Sequence, residues 1–156
     1  MHQKVRDILE QGEVSYKLHR HADLEQTIRS PKDFAAALGY DLERITKAVF
    51  LTSRKGDCHA IALCSMTHKL NLPAIAQALE TNRMTMAKPD QLAEIIGYPP
   101  MGVSPIGVDP VPVFIDETLM ELPTILIGAG EVGVEVEIEP TVLADLIKAR
   151  TMSLSL

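Results

Sequence analysis

No apolar run in this 156-residue chain approaches the roughly 18 residues that mark a membrane-crossing helix, so no membrane span is expected. The first residues, Met1-His2-Gln3-Lys4-Val5-Arg6-Asp7, mix charge with short apolar patches and lack the core of a secretory leader. Cytoplasm is the expected compartment. Cysteine is scarce: Cys58 and Cys64 stand six apart, with no Cys-x-x-Cys spacing. On one strand they would share a face yet lie too far apart along it to bridge easily. Two reduced thiols are expected, and a redox role has no support. Basic residues are missing altogether between Lys88 and Lys148, a stretch that holds eleven Asp and Glu. The formal charge of −6 argues against non-specific coating of nucleic acid. The cations gathered earlier, among them Arg54 and Lys55, still leave one face able to meet phosphates. Repeats, linkers and low-complexity segments are absent too, so residues 1–156 are read as one domain, and at 46% hydrophobic they can bury a core.

The catalytic signatures that are missing narrow the chemistry. Gly128-Ala129-Gly130-Glu131-Val132-Gly133 matches the dinucleotide pattern G-x-G-x-x-G. That pattern works only where a helix N-terminus follows and receives the pyrophosphate. Here Val134-Glu135-Val136-Glu137-Ile138 follows, an alternation that reads as strand, and its carboxylates would repel phosphate. A Gly-rich hairpin turn is expected instead. No G-x-S-x-G elbow surrounds Ser104, so its hydroxyl is read as a turn stabiliser and not as a nucleophile. His19 and His21 have a spacing seen in metal sites, but no third ligand accompanies them. They are read as structural or surface residues, and neither metal nor cofactor is expected.

The elements that are present interleave irregularly. Val5 to Gln11 reads as a helix ended near Gly12, and Val14 to His19 as a strand. Ser30 and Pro31 offer an N-cap and a first-turn proline for a helix that stops at Gly39. Thr46–Ser53 and His59–Met66 read as a hairpin turned by Arg54-Lys55-Gly56-Asp57. Helices are expected from Leu72 to Leu79 and from Lys88 to Ile96. Strands follow at Val113–Ile115, Thr124–Ile127 and Val132–Ile138, with a helical turn near Glu117. Pro140 opens a last helix, and Met152–Leu156 reads as a frayed tail. The fold class is therefore mixed α/β (α+β): a curled, barrel-like mixed sheet with helices packed outside.

Two features carry chemistry. Gly97-Tyr98-Pro99-Pro100-Met101-Gly102-Val103-Ser104-Pro105-Ile106-Gly107 holds three glycines and three prolines, which excludes helix interior and central strand. Such a loop lets a ligand approach bare backbone, and the amides of Gly102, Val103 and Ser104 could stabilise a developing oxyanion. Lys47 is a lone cation in the strand-like run Ile45-Thr46-Lys47-Ala48-Val49-Phe50-Leu51. Alternation puts it on one face with Val49, and an ammonium on the inner face needs an anion or a polar cavity. A snorkelling edge lysine or a salt bridge is the competing explanation.

Together the Ser30-Pro31 to Leu38-Gly39 segment, Ile45-Thr46-Lys47, the GVSPIG loop and the Gly128-Ala129-Gly130 turn resemble the YbaK/ProX family. These are free-standing aminoacyl-tRNA deacylases related to the editing domain inserted in prolyl-tRNA synthetases. The resemblance implies hydrolysis of the ester joining a mischarged amino acid to the 3′-terminal adenosine of a tRNA, with aminoacyl-tRNA and prolyl-tRNA synthetase as partners. It makes Lys47 required and places Gly102 at the reaction site, with a vicinal ribose hydroxyl helping the attacking water. By the same resemblance Tyr16 and Glu135 correspond to the family's pocket tyrosine and acid, and Val103, Ser104 and Gly128 line the substrate. Met101, Ala48 and Gly128 depart from better-known subgroups, which leaves alanine, cysteine, serine and threonine esters on tRNA for proline open. A tRNA- or synthetase-binding module without turnover is the alternative.

Overall fold

A computed structural model describes residues 1–156. The helices begin and end where the sequence supplies caps. In α2 (Pro31–Leu38), Ser30 Oγ accepts from the Asp33 amide at 3.2 Å, Pro31 occupies the first turn, and Gly39 closes the helix at φ +71°. That left-handed C-terminal position costs glycine no clash. The other helices are α1 (Gln3–Gln11), α3 (Leu72–Ala78), α4 (Pro89–Ile95) and α5 (Pro140–Ile147). The last three carry proline in the first turn, where a missing amide hydrogen breaks no intrahelical bond.

The strands β1 (Lys17–Arg20), β2 (Thr46–Ser53), β3 (His59–Ser65), β4 (Met84–Met86), β5 (Val113–Asp116), β6 (Ile125–Gly128), β7 (Val134–Ile138) and β8 (Arg150–Met152) form two sheets. One is antiparallel, in the order β1-β7-β6; the other is mixed, in the order β4-β2-β3-β5-β8. β2 and β3 form the expected hairpin, Thr46 opposite Ser65, while β3–β5 and β5–β8 are parallel. The sheets meet at a seam where Ile45 bridges Leu126 and the Thr46 hydroxyl donates to the Leu126 carbonyl at 2.7 Å. The single curled, barrel-like sheet expected from the sequence is thus two sheets joined at this seam, and they do not close into a barrel.

Three apolar clusters follow from strand alternation. The main core lies between the sheets, with Phe50, Ile61, Leu63 and Ile115 facing Ile125, Ile127, Val134 and Val136. A second cluster, with Leu51, Ala62 and Phe114, is covered by Ile75 and Ala76 of α3. A third puts Phe34 and Ala35 of α2 over Ile45 and Leu126.

The C-terminus corrects the sequence reading. Residues 152–156 are not frayed: β8 extends the large sheet, and Leu154 is fully buried. The Leu154 amide donates to Asp116 Oδ1 at 2.8 Å and its carbonyl accepts from Asn71 at 2.6 Å. One apolar knob and one buried acceptor fix this tail, and neither is a periodic signal. β4, a three-residue strand paired to β2, was equally invisible to periodicity. β1 starts at Lys17 and not Val14, and β7 at Val134 and not Val132.

Candidate active site

Lys47 lies on the outer face of the large sheet, not the inner face that looks on the main core. Its apolar neighbours on that face belong to different clusters: Ile45 to the one under α2, Val49 to the one packed with α3. Lys47 therefore stands at the break between two helix-covered patches, half-buried. It makes no salt bridge. Cys64 sits opposite it on β3. Burial pushes that thiol up to about 11, with Asp116 adding and the Lys47 ammonium opposing. Cys64 is thus protonated at neutral pH and is no nucleophile.

The Gly/Pro loop is pinned from both sides. Tyr98 is buried beneath it; its hydroxyl donates to the Ile106 carbonyl, and the Lys4 ammonium lies 4.2 Å from its ring centre. Ser104 is fully buried, with Oγ accepting from the Ile106 amide at 3.1 Å, a turn-stabilising contact. Two glycines allow the loop to sink onto the β6–β7 turn. A Cβ at Gly102 would meet the Glu131 backbone at 2.8 Å, and a Cβ at Gly128 would come within 2.0 Å of the Val103 carbonyl oxygen. The Gly102 amide, a candidate oxyanion donor, is already bonded to the Pro99 carbonyl at 3.0 Å. The amides of Val103 and Ser104 donate to no group in the protein. Preorganised backbone donors of this kind are what a developing oxyanion requires.

Glu135 is paired with Gly128 across β7–β6 and so shares its face, opposite Val134 and Val136 in the main core. Burial raises its carboxyl above the ordinary range, while His21 and His19 pull the other way. His21 Nε2 lies 2.7 Å from Glu135 Oε2, and His19 Nε2 lies 2.8 Å from Glu137 Oε1. Phe34 of α2 packs against the His21 ring, centres 4.6 Å apart. Glu137 is buried too, which alone would raise it; donors from Thr124, His19 and Tyr40 outweigh that and hold it below the usual range.

The structure thus brings Gly102, Val103, Ser104, Gly128 and Glu135 together, with Lys47 two residues past the seam that joins β2 to β6. Tyr16 stands apart. It packs against the main core, on the opposite face of the small sheet from Glu135. The residues that sequence reasoning left out are His21 and Phe34. A signal existed: His19 and His21 repeat at the spacing of Glu135 and Glu137, so antiparallel pairing matches them on one face. The Gly128–Gly133 segment is the turn between β6 and β7, and a strand follows it rather than a helix. A cavity of about 290 Å³ between α1, α5 and the loop shares no residue with this site.

An unpaired ammonium, the free amide of Val103 and a shielded carboxylate make up a site with no nucleophile among them. The fold carrying it is mixed α/β with two sheets. The model of the aminoacyl-tRNA editing domain matches residues 25–146, and the chain belongs to that family. A relative in Enterococcus faecalis, named "Putative Cys-tRNA(Pro)/Cys-tRNA(Cys) deacylase EbsC", is 27% identical over 140 residues, covering 89% of this chain and 84% of its own. The proline–tRNA ligase of Fervidobacterium nodosum is 25% identical over 150 residues, which cover 89% of this chain but 26% of the ligase. Among solved structures, one described as "a putative trans-editing enzyme for prolyl tRNA synthetase" superposes with a TM-score of 0.83 at 23% identity, covering 100% of this chain and 99% of its own. That likeness shows the shared fold.

Proposed function

We propose that this chain, acting as one domain in the cytoplasm, hydrolyses the ester of mischarged aminoacyl-tRNA, with tRNA for proline bearing a small non-cognate amino acid as the substrate. The observation that carries this reading is the free amide of Val103, in a loop seated on Gly128 beside the strand that bears the unpaired Lys47. The family and the names of its relatives support it.

In this reading water attacks the ester carbonyl carbon, and the Val103 amide receives the oxyanion. The ester C–O bond then breaks. The water's proton passes to the departing ribose oxygen, with the vicinal ribose hydroxyl as the relay. Lys47 meets the phosphate of the terminal nucleotide, a charge-assisted contact. Glu135, steadied by His21, faces the α-ammonium of the amino acid. Gly102 serves through its close approach to Glu131, since its own amide is engaged.

The test is to incubate the purified protein with tRNA for proline charged with alanine, cysteine, serine or threonine, and with proline as the control. Deacylation of at least one non-cognate ester, faster than that of the prolyl ester, is expected. A protein that binds these tRNAs but hydrolyses none would be the non-catalytic module instead.

A further inference from the structure

At the far end of β2 from Lys47, the β2–β3 turn, β4 and the start of α4 enclose an open basin of about 640 Å³. Four cations line it, Arg54, Lys55, Arg83 and Lys88, and no carboxylate does. None of the four makes a salt bridge. The acids closest in sequence are turned to other partners: Asp57 accepts from Ser53 Oγ at 2.7 Å, and Asp90 from the Gln91 amide at 3.1 Å. Met86, 69% exposed, adds an apolar patch to the same wall. In a chain of net charge −6, four unpaired cations around one concavity repel one another unless an anion joins them. A concave surface of one sign also focuses its field on incoming anions.

The distance to Lys47 limits what that anion is. Lys47 and Arg54 are seven residues apart along the β2 direction, about 23 Å at the rise of a strand. That equals about seven nucleotides stacked at about 3.4 Å each. We infer that the basin binds the phosphodiester backbone of the acceptor stem, several nucleotides from the terminal adenosine held near Lys47. This rests on the reading of aminoacyl-tRNA as substrate. The four cations act as phosphate contacts that position the stem without reading its sequence.

The experiment uses an uncharged RNA hairpin copying an acceptor stem with its single-stranded 3′ end, titrated by fluorescence anisotropy at several salt concentrations. Each lost phosphate contact lowers the log–log salt slope by roughly 0.7–0.9. The double variant R54E/R83E, checked by circular dichroism for an unchanged fold, should weaken hairpin binding at least about tenfold and flatten the slope by about 1.5. On charged tRNA its loss of kcat/KM should exceed its loss on aminoacyl-adenosine by about the same factor. Equal affinity of wild type and double variant for the hairpin overturns the proposal. So does wild-type binding to polyglutamate as tight as to the hairpin, which would make the basin an indiscriminate anion site. The hairpin carries no ester, so the two readings fail separately. Basin-dependent binding without hydrolysis rejects the deacylase and keeps the basin; hydrolysis with basin-independent binding does the reverse.

Discussion

Gly128 shows how a residue with no side chain sets the seat of the Gly/Pro loop. The Val103 carbonyl occupies the space where its Cβ would be. Gly128→Ala must therefore push the 102–104 backbone away, taking the Val103 and Ser104 amides with it. Overpacking of this kind costs about 1–3 kcal/mol. A lower thermal midpoint with deacylation reduced at least tenfold is expected; full activity with an unchanged midpoint would show that the loop does not depend on this contact. Ser104 offers the opposite case. Its buried hydroxyl holds the Ile106 amide, so Ser104→Ala should cost about 0.5–1.5 kcal/mol in urea unfolding and slow hydrolysis less than tenfold. Complete loss of turnover in a folded Ser104→Ala protein would instead mark a nucleophile. Both roles were partly legible in the sequence: the glycine density announced close backbone approach, and the missing elbow demoted the serine. That the Gly102 amide was already engaged, and that Tyr16 faces the core, depended on a turn and a strand register that no local pattern encodes.

Among the elements, those with caps or long alternation were readable and the three-residue strands were not. Ser30, Pro31 and Gly39 bound α2 as expected, and the hairpin turned at residues 54–57. β8 forms because Asp116 at the end of β5 collects donors from the tail: the Leu154 amide at 2.8 Å and the Ser155 hydroxyl at 2.6 Å, with Thr118 adding a third. Burial alone would raise the Asp116 carboxyl, but these donors outweigh it and hold it below its ordinary value of 3.8. A carboxylate depressed in the folded state adds stability above its unfolded pKa and loses it as pH falls through the folded one. Asp116→Asn should thus lower stability at pH 7 by about 1.5–3 kcal/mol, the range for hydrogen bonds to a charged group. The gap between wild type and variant should narrow as pH drops below about 4. Denaturant midpoints from pH 7 to pH 3 check this, and a gap that stayed constant would place the stabilisation outside the carboxylate's charge.

Over the whole molecule, the seam at Ile45–Leu126 is what assembles the candidate site. It brings β2, with its unpaired lysine, against β6, whose last residue lies under the Gly/Pro loop. Lys47 and Gly102 are 55 residues apart in the sequence, and only tertiary pairing makes them neighbours. The uneven charge was legible as well, yet its placement was not. The cations Arg54 and Lys55 belong to a basin at the opposite end of β2 from Lys47, joined there by Arg83 and Lys88. On the proposed function, ester hydrolysis takes place beside Lys47. Single-turnover deacylation by the wild type and by Lys47→Ala, on whichever mischarged tRNA the wild type hydrolyses best, tests it most directly. A lost charge-assisted contact of about 1.5–3 kcal/mol predicts a rate lower by roughly one to two orders of magnitude, with an unchanged circular dichroism spectrum. A folded Lys47→Ala protein that turns over at the wild-type rate would contradict the account.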